Sequence, residues 1–467
     1  MISTSSPAPF EDLLENRIKL SKYQYWLLFF LCLVDLNDGV ELITMSLVIP
    51  ILKREWTISP FWIEVLTSIF YFGMFFGAFL TGKIADRYGR RPTILYASIF
   101  QFLVGFCFAF VNDLFTLIFM RFLYGFCYGF SLPLTISMIS EIFPLRVRGK
   151  AIIFTNFCVS IGKVYGILLA FITLDDYQTG NWRALMIVSS LTCLIVILGV
   201  GFYVKESPRF LLASKYFPKA FEVIDHIGKV NNPDFEPLSF EEKQKLTEYH
   251  TFHHSPEEQA NPKMIFSKRF MPVTIRLWIL WFVLIYFEFG LLVILPFLFL
   301  NQKAGFSSLL ITIGGELPSL IVSMICIDLK SAGRKKTLTI SIAILSFLNF
   351  SAFFSAETGF LPEILSAERF FMKNCFSMLV PLTSELYPTH FRTVGYGLAT
   401  AMGRIAATLS PYILLPLFEW HNYASFILFG IMCFVGMLAS QTIPFDTTNA
   451  FLDVWLVKEE KVNFSGP

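Results

Sequence analysis

Twelve apolar runs, each of nineteen residues or more, succeed one another near 24–50, 61–81, 93–111, 114–139, 151–172, 184–204, 273–300, 307–329, 337–355, 362–385, 394–418 and 422–443. A helix of that length crosses the roughly 30 Å hydrocarbon core of a bilayer. Composition agrees: 55% of residues are hydrophobic and 15% charged, where a soluble chain carries about 25% charged residues. The expected fold class is an all-α membrane protein with twelve transmembrane helices in two six-helix halves.

Basic residues set the orientation. Alternate short loops hold Lys83, Arg87, Arg90 and Arg91; Arg146, Arg148 and Lys150; Lys330, Arg334, Lys335 and Lys336; and Arg392. The intervening loops hold only Lys53, Arg54, Lys303 and, at an edge, Arg183. The positive-inside rule places the basic loops in the cytoplasm or its equivalent. An even number of spans puts both tails on that side. The expected organisation is a cytoplasmic tail over 1–23, a six-helix half over 24–204, a cytoplasmic central loop over 205–272, a second half over 273–443 and a cytoplasmic tail over 444–467. The first 23 residues include Glu11, Asp12 and Glu15 and fit neither a secretory signal nor a transit peptide. The first helix is therefore expected to act as an uncleaved membrane signal.

Other classes find little support. A net charge of +2 without a basic arm gives no reason to expect a nucleic-acid partner. The eight cysteines fall inside apolar runs without ligand spacing and read as small core residues. His250, His253 and His254 in YHTFHHS lack a carboxylate or cysteine at ligand spacing and read as a solvated loop. There is no zinc motif, phosphate-cradling loop or nucleophile elbow, so neither an enzyme nor an ATP-driven pump is expected, and no cofactor.

The chain repeats itself. Glu141-Ile-Phe-Pro144-Leu-Arg-Val-Arg148 closes the fourth span, and Glu385-Leu-Tyr-Pro388-Thr-His-Phe-Arg392 stands six spans later at the same spacing. A parallel repeat of six helices is a transporter arrangement. GKIADRYGRRP, Gly82 to Pro92, is similar to the loop signature between helices two and three of the major facilitator superfamily. RFLYGFCYG, Arg121 to Gly129, resembles its fourth-helix motif. Glu206-Ser-Pro-Arg209 resembles the signature after the sixth helix of sugar porters, organic-ion transporters and synaptic-vesicle-protein-related transporters. TSELYPTHFRTVGYGLATAMGRIAATLSPYI and EWTISPFWIEVLTSIFYFGMFFGAFLTGKIADRYGRR look most like the synaptic-vesicle-related and organic-ion groups.

The resemblance covers nearly the whole chain. It implies the major facilitator fold and a secondary-active transporter working by alternating access about a midplane site. It assigns conformational gating to Gly82 (a close helix approach), Asp86, Gly89 (a tight turn), Arg90, Arg91, Glu141, Arg148, Glu206, Arg209, Glu385 and Arg392. The plainer reading is that the basic loops only set topology. Departures are also visible. Only about residues 51–60 join the first two helices, where animal organic-ion transporters carry a large loop. The seventh helix lacks the QQ pair of sugar porters. IPFDTTNAF is a degraded P-E-T-K-G end, and Asp328 stands five residues before Gly333 where Asp86 stands three before Gly89. The last of these argues against a second latch at that loop, and the altered loop and degraded tail together motivate a non-transporting alternative.

Charges inside the spans carry the functional reading. Each costs roughly 2.5–3.5 kcal/mol at a helix centre. Arg276 and Arg369, with Arg121 a borderline case, lie toward helix ends where long side chains snorkel. Lys163, Lys373 and Arg404, like Asp35, Asp38, Glu288 and Glu316, lie near helix centres and must face a cavity or one another. Asp35, Asp38 and Glu41 recur at one-turn spacing along one wall. With Arg121 they are candidate proton-coupling residues; the alternative is a fixed network with Lys163 or another base. By the resemblance, the matching eleventh-helix position tends to be acidic in cation carriers and Arg in anion carriers. Arg404 therefore favours an anionic substrate held by a forked pair with a carboxylate, a structural role being the alternative. Glu316 is expected to brace packing through Arg404 or Lys373. The candidate substrate-binding residues are Arg404, Tyr124, Tyr128, Tyr286, Glu288, Lys373 and Asn374, with Trp26 and Tyr165 as weaker stacking candidates.

The expected function is transport of a small organic solute, an organic anion with possible proton coupling. Sugar or organic-cation transport, and a non-transporting subunit or sensor of the same fold, remain the alternatives. The partners expected are that solute, protons and the lipid bilayer.

Overall fold

The computed structural model describes residues 9–252, 265–268, 270–327, 333–355, 359–387, 392–444 and 446. Its long helices are α1 Lys22–Glu55, α2 Pro60–Tyr88, α3 Arg90–Phe108, α4 Leu114–Ile142, α5 Leu145–Thr173 and α6 Trp182–Phe202 in the first half. The second half has α7 Met271–Asn301, α8 Phe306–Cys326, α9 Arg334–Ser355, α10 Leu361–Leu386, α11 Arg392–Trp420 and α12 Ala424–Gln441. A lone helix satisfies its own backbone hydrogen bonds, which lipid cannot do.

Ten of these helices are long and apolar enough to cross a membrane. The other two, α1 and α10, have 34 and 26 residues, so length is not what they lack. They carry charges: Asp35, Asp38 and Glu41 in α1, and Glu363, Glu368, Arg369 and Lys373 in α10. From Asn37 to Leu52 every residue of α1 is buried. Such all-round burial marks a helix enclosed by others, and its acids are solvated by protein instead of lipid.

Local chemistry sets the helix ends. Asp113 caps α4 by accepting from the Thr116 N–H, Asn181 caps α6 by accepting from Ala184, and Pro60 opens α2. α8 is interrupted at Gly314–Gly315. A Cβ on Gly315 would lie 2.2 Å from the Ser366 carbonyl oxygen, so the break lets α8 lean on α10.

Within the first half, glycines bring backbones together. A Cβ on Gly77 of α2 would lie 2.0 Å from Phe126 O of α4, and one on Gly125 of α4 would lie 2.1 Å from Phe70 O of α2. The α1–α5 crossing is as tight, with Gly39 against Val159 O and Gly162 against Leu36 O. Gly82 differs from expectation. Nothing stands within 4 Å of its Cβ position, because it lies past the crossing with α4.

At the basic-loop end, helices Pro208–Ala213, Phe217–Asn231 and Phe240–Phe252 form a collar. The N-terminal segment is fastened to it. Phe10, Leu13, Leu14 and Ile18 are buried with Ile224, Ile227 and Leu246. Arg209 pairs with Glu11 at 2.6 Å, and Arg17 pairs with Glu242. His250 corrects the solvated-loop reading of YHTFHHS. It is buried on a helix of this collar, while His253 and His254 lie outside the described residues.

Candidate functional site

The α1 acids lie along an arc that faces α4, with α3 beside it. Steps of three residues turn each side chain by roughly 60° from the last, so they meet different neighbours. Glu41 pairs with Arg121 of α4 at 2.8 Å, and the Arg121 guanidinium lies 4.5 Å over the Phe70 ring. Gln101 of α3 donates to Asp38 at 3.2 Å, and Thr135 of α4 donates to Asp35 at 3.2 Å. Asn37, between them, accepts from Thr192 of α6 at 2.6 Å. Arg121 is thus an interior partner, not a snorkelling residue.

Lys163 pairs across the seam between the halves. Its Nζ lies 2.5 Å from Glu288 of α7 and 2.8 Å from Glu316 of α8. Arg369 of α10 approaches the same two acids at 2.9 and 3.6 Å, and Ser160 donates to Glu316. Two cations and two carboxylates therefore alternate in a buried cluster, the arrangement in which buried charges are tolerated. Two expectations are corrected. Arg369 is fully buried and does not snorkel, and the cations that pair with Glu316 are Lys163 and Arg369, Lys373 reaching it only at longer range.

Arg404 and Lys373 are the interior cations left over. Both are half-buried, and among the described residues neither makes an ion pair. The Arg404 Nε is buried without a hydrogen-bond partner. Tyr396 and Tyr128 lie within electrostatic reach of Arg404, and Tyr128 also of Asp35, Asp38 and Glu288. Lys373 is within reach of Glu316, Glu288 and Asp35. Tyr124 is buried against Phe108, and Tyr128 against Phe70.

Other candidates sit apart. Tyr286 packs between Phe282 and Phe429 inside the second half. Asn374 is engaged with Ser323 and Ser341, tying α8, α9 and α10 together. Trp26 lies at the basic-loop end, stacked on Phe30, and Tyr165 is exposed. Sequence reading missed Ser160, Gln101, Thr135 and the Tyr71–Phe289 ring contact, at 4.8 Å, that joins the halves. None of these residue types is unusual in such a chain, so no signal set them apart.

The gating candidates converge at the basic-loop end. Arg90 pairs with Asp86 at 3.0 Å and Glu141 at 3.1 Å. Glu206 accepts from the backbone N–H groups of Arg90, Arg91 and Ser207. Burial pushes the Glu206 carboxyl above its ordinary range, and those backbone donors oppose the shift. Gly89 has φ +103°, and a Cβ there would lie 2.2 Å from Glu206 Oε2. The Arg91 side chain donates to Gly201 O at 2.5 Å, Arg148 to Phe143 O at 3.2 Å, and Arg209 reaches Glu11.

The second half rebuilds this clamp. Gly333 has φ +66°, and a Cβ there would lie 2.3 Å from Asp446 Oδ2. Asp446 accepts from the N–H groups of Arg334 and Lys335, each at 3.1 Å, and Arg334 pairs with Glu385. The degraded tail motif thus retains the carboxylate that matters. Asp328 and the Arg392 side chain lie outside the described residues.

Two repeated six-helix halves with their interior charges gathered along the seam define a membrane transporter. The chain belongs to the Major Facilitator Superfamily, whose family model matches residues 27–358. It is 27% identical to the synaptic vesicle 2-related protein of Xenopus laevis, over 94% of this chain and 81% of that protein. It is 24% identical to the niacin transporter NiaP of Acinetobacter baylyi, over 88% and 90%. Its fold matches the inward open conformation of the xylose transporter XylE from E. coli with a TM-score of 0.74 at 18% identity, covering 93% and 99% of the two chains. The protein is an integral, multi-pass membrane transporter of a small organic solute, not an enzyme.

Proposed function

We propose that the protein carries small organic carboxylates by alternating access, coupled to protons, with its basic loops in the cytoplasm. The observation that carries this reading is Arg404, an interior guanidinium that makes no ion pair among the described residues and has Tyr396 and Tyr128 within electrostatic reach. Every other guanidinium or ammonium deep in the bundle except Lys373 has its carboxylate. A guanidinium holds a carboxylate through two parallel hydrogen bonds, and an aromatic ring in the same region can support a flat solute. That a relative is named for niacin, an aromatic carboxylic acid, supports the class. Asp35, whose Oδ2 is buried without a partner, together with Asp38, Glu41 and Arg121, supplies the proton-carrying group. The altered loop and tail that favoured a non-transporting subunit lose their weight, since Asp446 rebuilds the second clamp.

The test is transport current from purified protein on a solid-supported membrane. It is challenged with aromatic and short carboxylates, quaternary ammonium ions and hexoses at two pH values. Carboxylate currents that grow as the side opposite the basic loops is acidified are expected. Arg404→Gln is expected to lower the current about 100-fold, the loss of one bidentate charge-assisted pair worth ~3 kcal/mol. Wild-type current from folded Arg404→Gln protein would sink the assignment.

A further inference from the structure

A cavity stands at the end opposite the basic loops, between the halves. It holds about 410 Å³ and is lined by Lys53 and Arg54 of α1, Gln178, Phe297 of α7, and Phe418 and Glu419 of α11, among others. That is within the range of small-ligand sites, which reach from about 300 to 1,000 Å³. Its walls are of two kinds. Phe297 and Phe418 give an aromatic side, with their rings 6.5 Å apart. Lys53 and Arg54 give a cationic side.

The charges there are only partly matched. Lys53 pairs with Glu419 across the seam at 3.3 Å, and its ammonium lies 5.7 Å from the centre of the Phe297 ring. Both members of that pair are exposed, so the pair is weak and exchangeable. Glu64 lies within electrostatic reach of Glu419, so the carboxylate that would be displaced has a like-charged neighbour. Arg54 makes no ion pair among the described residues. The nearby Asp176 accepts from the N–H groups of Gln178 and Thr179 at 2.6 and 2.7 Å and reaches Arg54 only at longer range, without pairing with it.

We infer that this cavity is a second carboxylate subsite, in which a small aromatic carboxylate takes the place of Glu419 on Lys53. The ring lies against Phe297 and Phe418, and the carboxylate bridges Lys53 and Arg54. The solute class rests on the proposed function; the site itself rests on the cavity and its charges. Displacing Glu419 also unties Lys53 from α11, so arrival of the solute loosens one contact that closes this end. The Tyr177 hydroxyl, donating to Gly305 O at 3.1 Å, is another contact across the same end, and it stays in place.

The test is equilibrium binding of benzoate and nicotinate to full-length purified protein, with benzamide and nicotinamide as uncharged counterparts. It is run in an Arg404→Gln background, which removes the central cation, and each variant is checked for fold by size exclusion. Residual carboxylate binding is expected, with none for the amides. The paired substitution Lys53→Gln and Arg54→Gln should weaken it about ten-fold or more, whereas Lys53→Arg should preserve it. Glu419→Gln should strengthen it several-fold by freeing Lys53. A gate without a subsite would make Lys53→Gln and Glu419→Gln act alike, since each breaks the same pair. Equal effects of those two, or no carboxylate binding once Arg404 is replaced, overturn the inference. The readout does not depend on transport. Carboxylate transport without residual binding removes the subsite and leaves the proposed function. Residual binding in a protein that moves no carboxylate does the reverse.

Discussion

Replacing Lys163 with Met probes the seam most directly. The side chain is about the right length but uncharged, and it leaves Glu288 and Glu316 with Arg369 as their one ion-pair partner among the described residues, at 2.9 and 3.6 Å. Removing one partner of a buried charge cluster costs about 3–5 kcal/mol, because the remaining charge is uncompensated. Lys163 belongs to the first half and both acids to the second, so the loss falls on the contact between halves. At about 1.4 kcal/mol per ten-fold, a loss of ~3 kcal/mol shifts the balance between closed and separated seams about 100-fold. Electron–electron distance measurements can read this from spin labels on Ser59 and Ser307, exposed residues on opposite halves. Cys107, Cys127 and Cys326, the cysteines that are not buried, are first replaced by serine. Lys163→Met should broaden and lengthen the distance distribution and lower the apparent unfolding temperature. Adding Glu316→Gln removes the excess carboxylate and should recover most of both losses. An unchanged distribution in Lys163→Met, or a double variant as impaired as the single one, would refute the argument.

Two further predictions concern the clamp at the basic-loop end. Gly89→Ala forces a side chain into φ +103° and onto Glu206, and should cost about 2–4 kcal/mol from backbone strain and weakened acceptance of the Arg90 and Arg91 N–H groups. Gly82→Ala, with open space at its Cβ, should be neutral within about 0.5 kcal/mol or slightly stabilising; thermal unfolding in detergent compares them, and equal losses would contradict the geometry. Glu206→Gln addresses pH. Burial raises the Glu206 carboxyl from 4.5, so its contribution is fully present below that value and lost as pH rises through the raised one. The unfolding temperature of Glu206→Gln relative to wild type should therefore rise from pH 4.5 toward neutrality, and a flat or falling difference would reject the burial argument.

Much of the architecture was legible because length and charge spacing are local. The runs containing α1 and α10 could be recognised despite their charges, since the apolar stretch around each was long enough. The partners of those charges were not legible. Spacing tells which residues share a helix face, but not which helix that face meets; hence Lys163 and Arg369 were not expected to share Glu288 and Glu316. The position of Arg369 near the start of its run points to a snorkelling residue, yet α10 begins at Leu361 and carries it two turns into the protein interior. Arg404 stands out through family resemblance, and the structure adds that its guanidinium makes no ion pair among the described residues. The second clamp escaped notice for a simpler reason. Comparing Asp328 with Asp86 looked for an acid before the glycine, whereas the backbone donors after Gly333 are met by Asp446, more than a hundred residues on.

The glycine crossings have a mechanical consequence. Where α2 meets α4, and α1 meets α5, main chain touches main chain, and neither surface has a rotamer to change. Where Lys163 meets Glu288 and Glu316, and Lys53 meets Glu419, the halves are joined by long side chains with several torsions each. A displacement of an ångström would collide at the first kind of contact and be absorbed at the second. Stiffness is thus concentrated at main-chain crossings inside the halves, Gly315 on Ser366 O being one in the second, and compliance along these seam contacts, so thermal motion is channelled into relative rocking of the halves instead of distortion within a bundle.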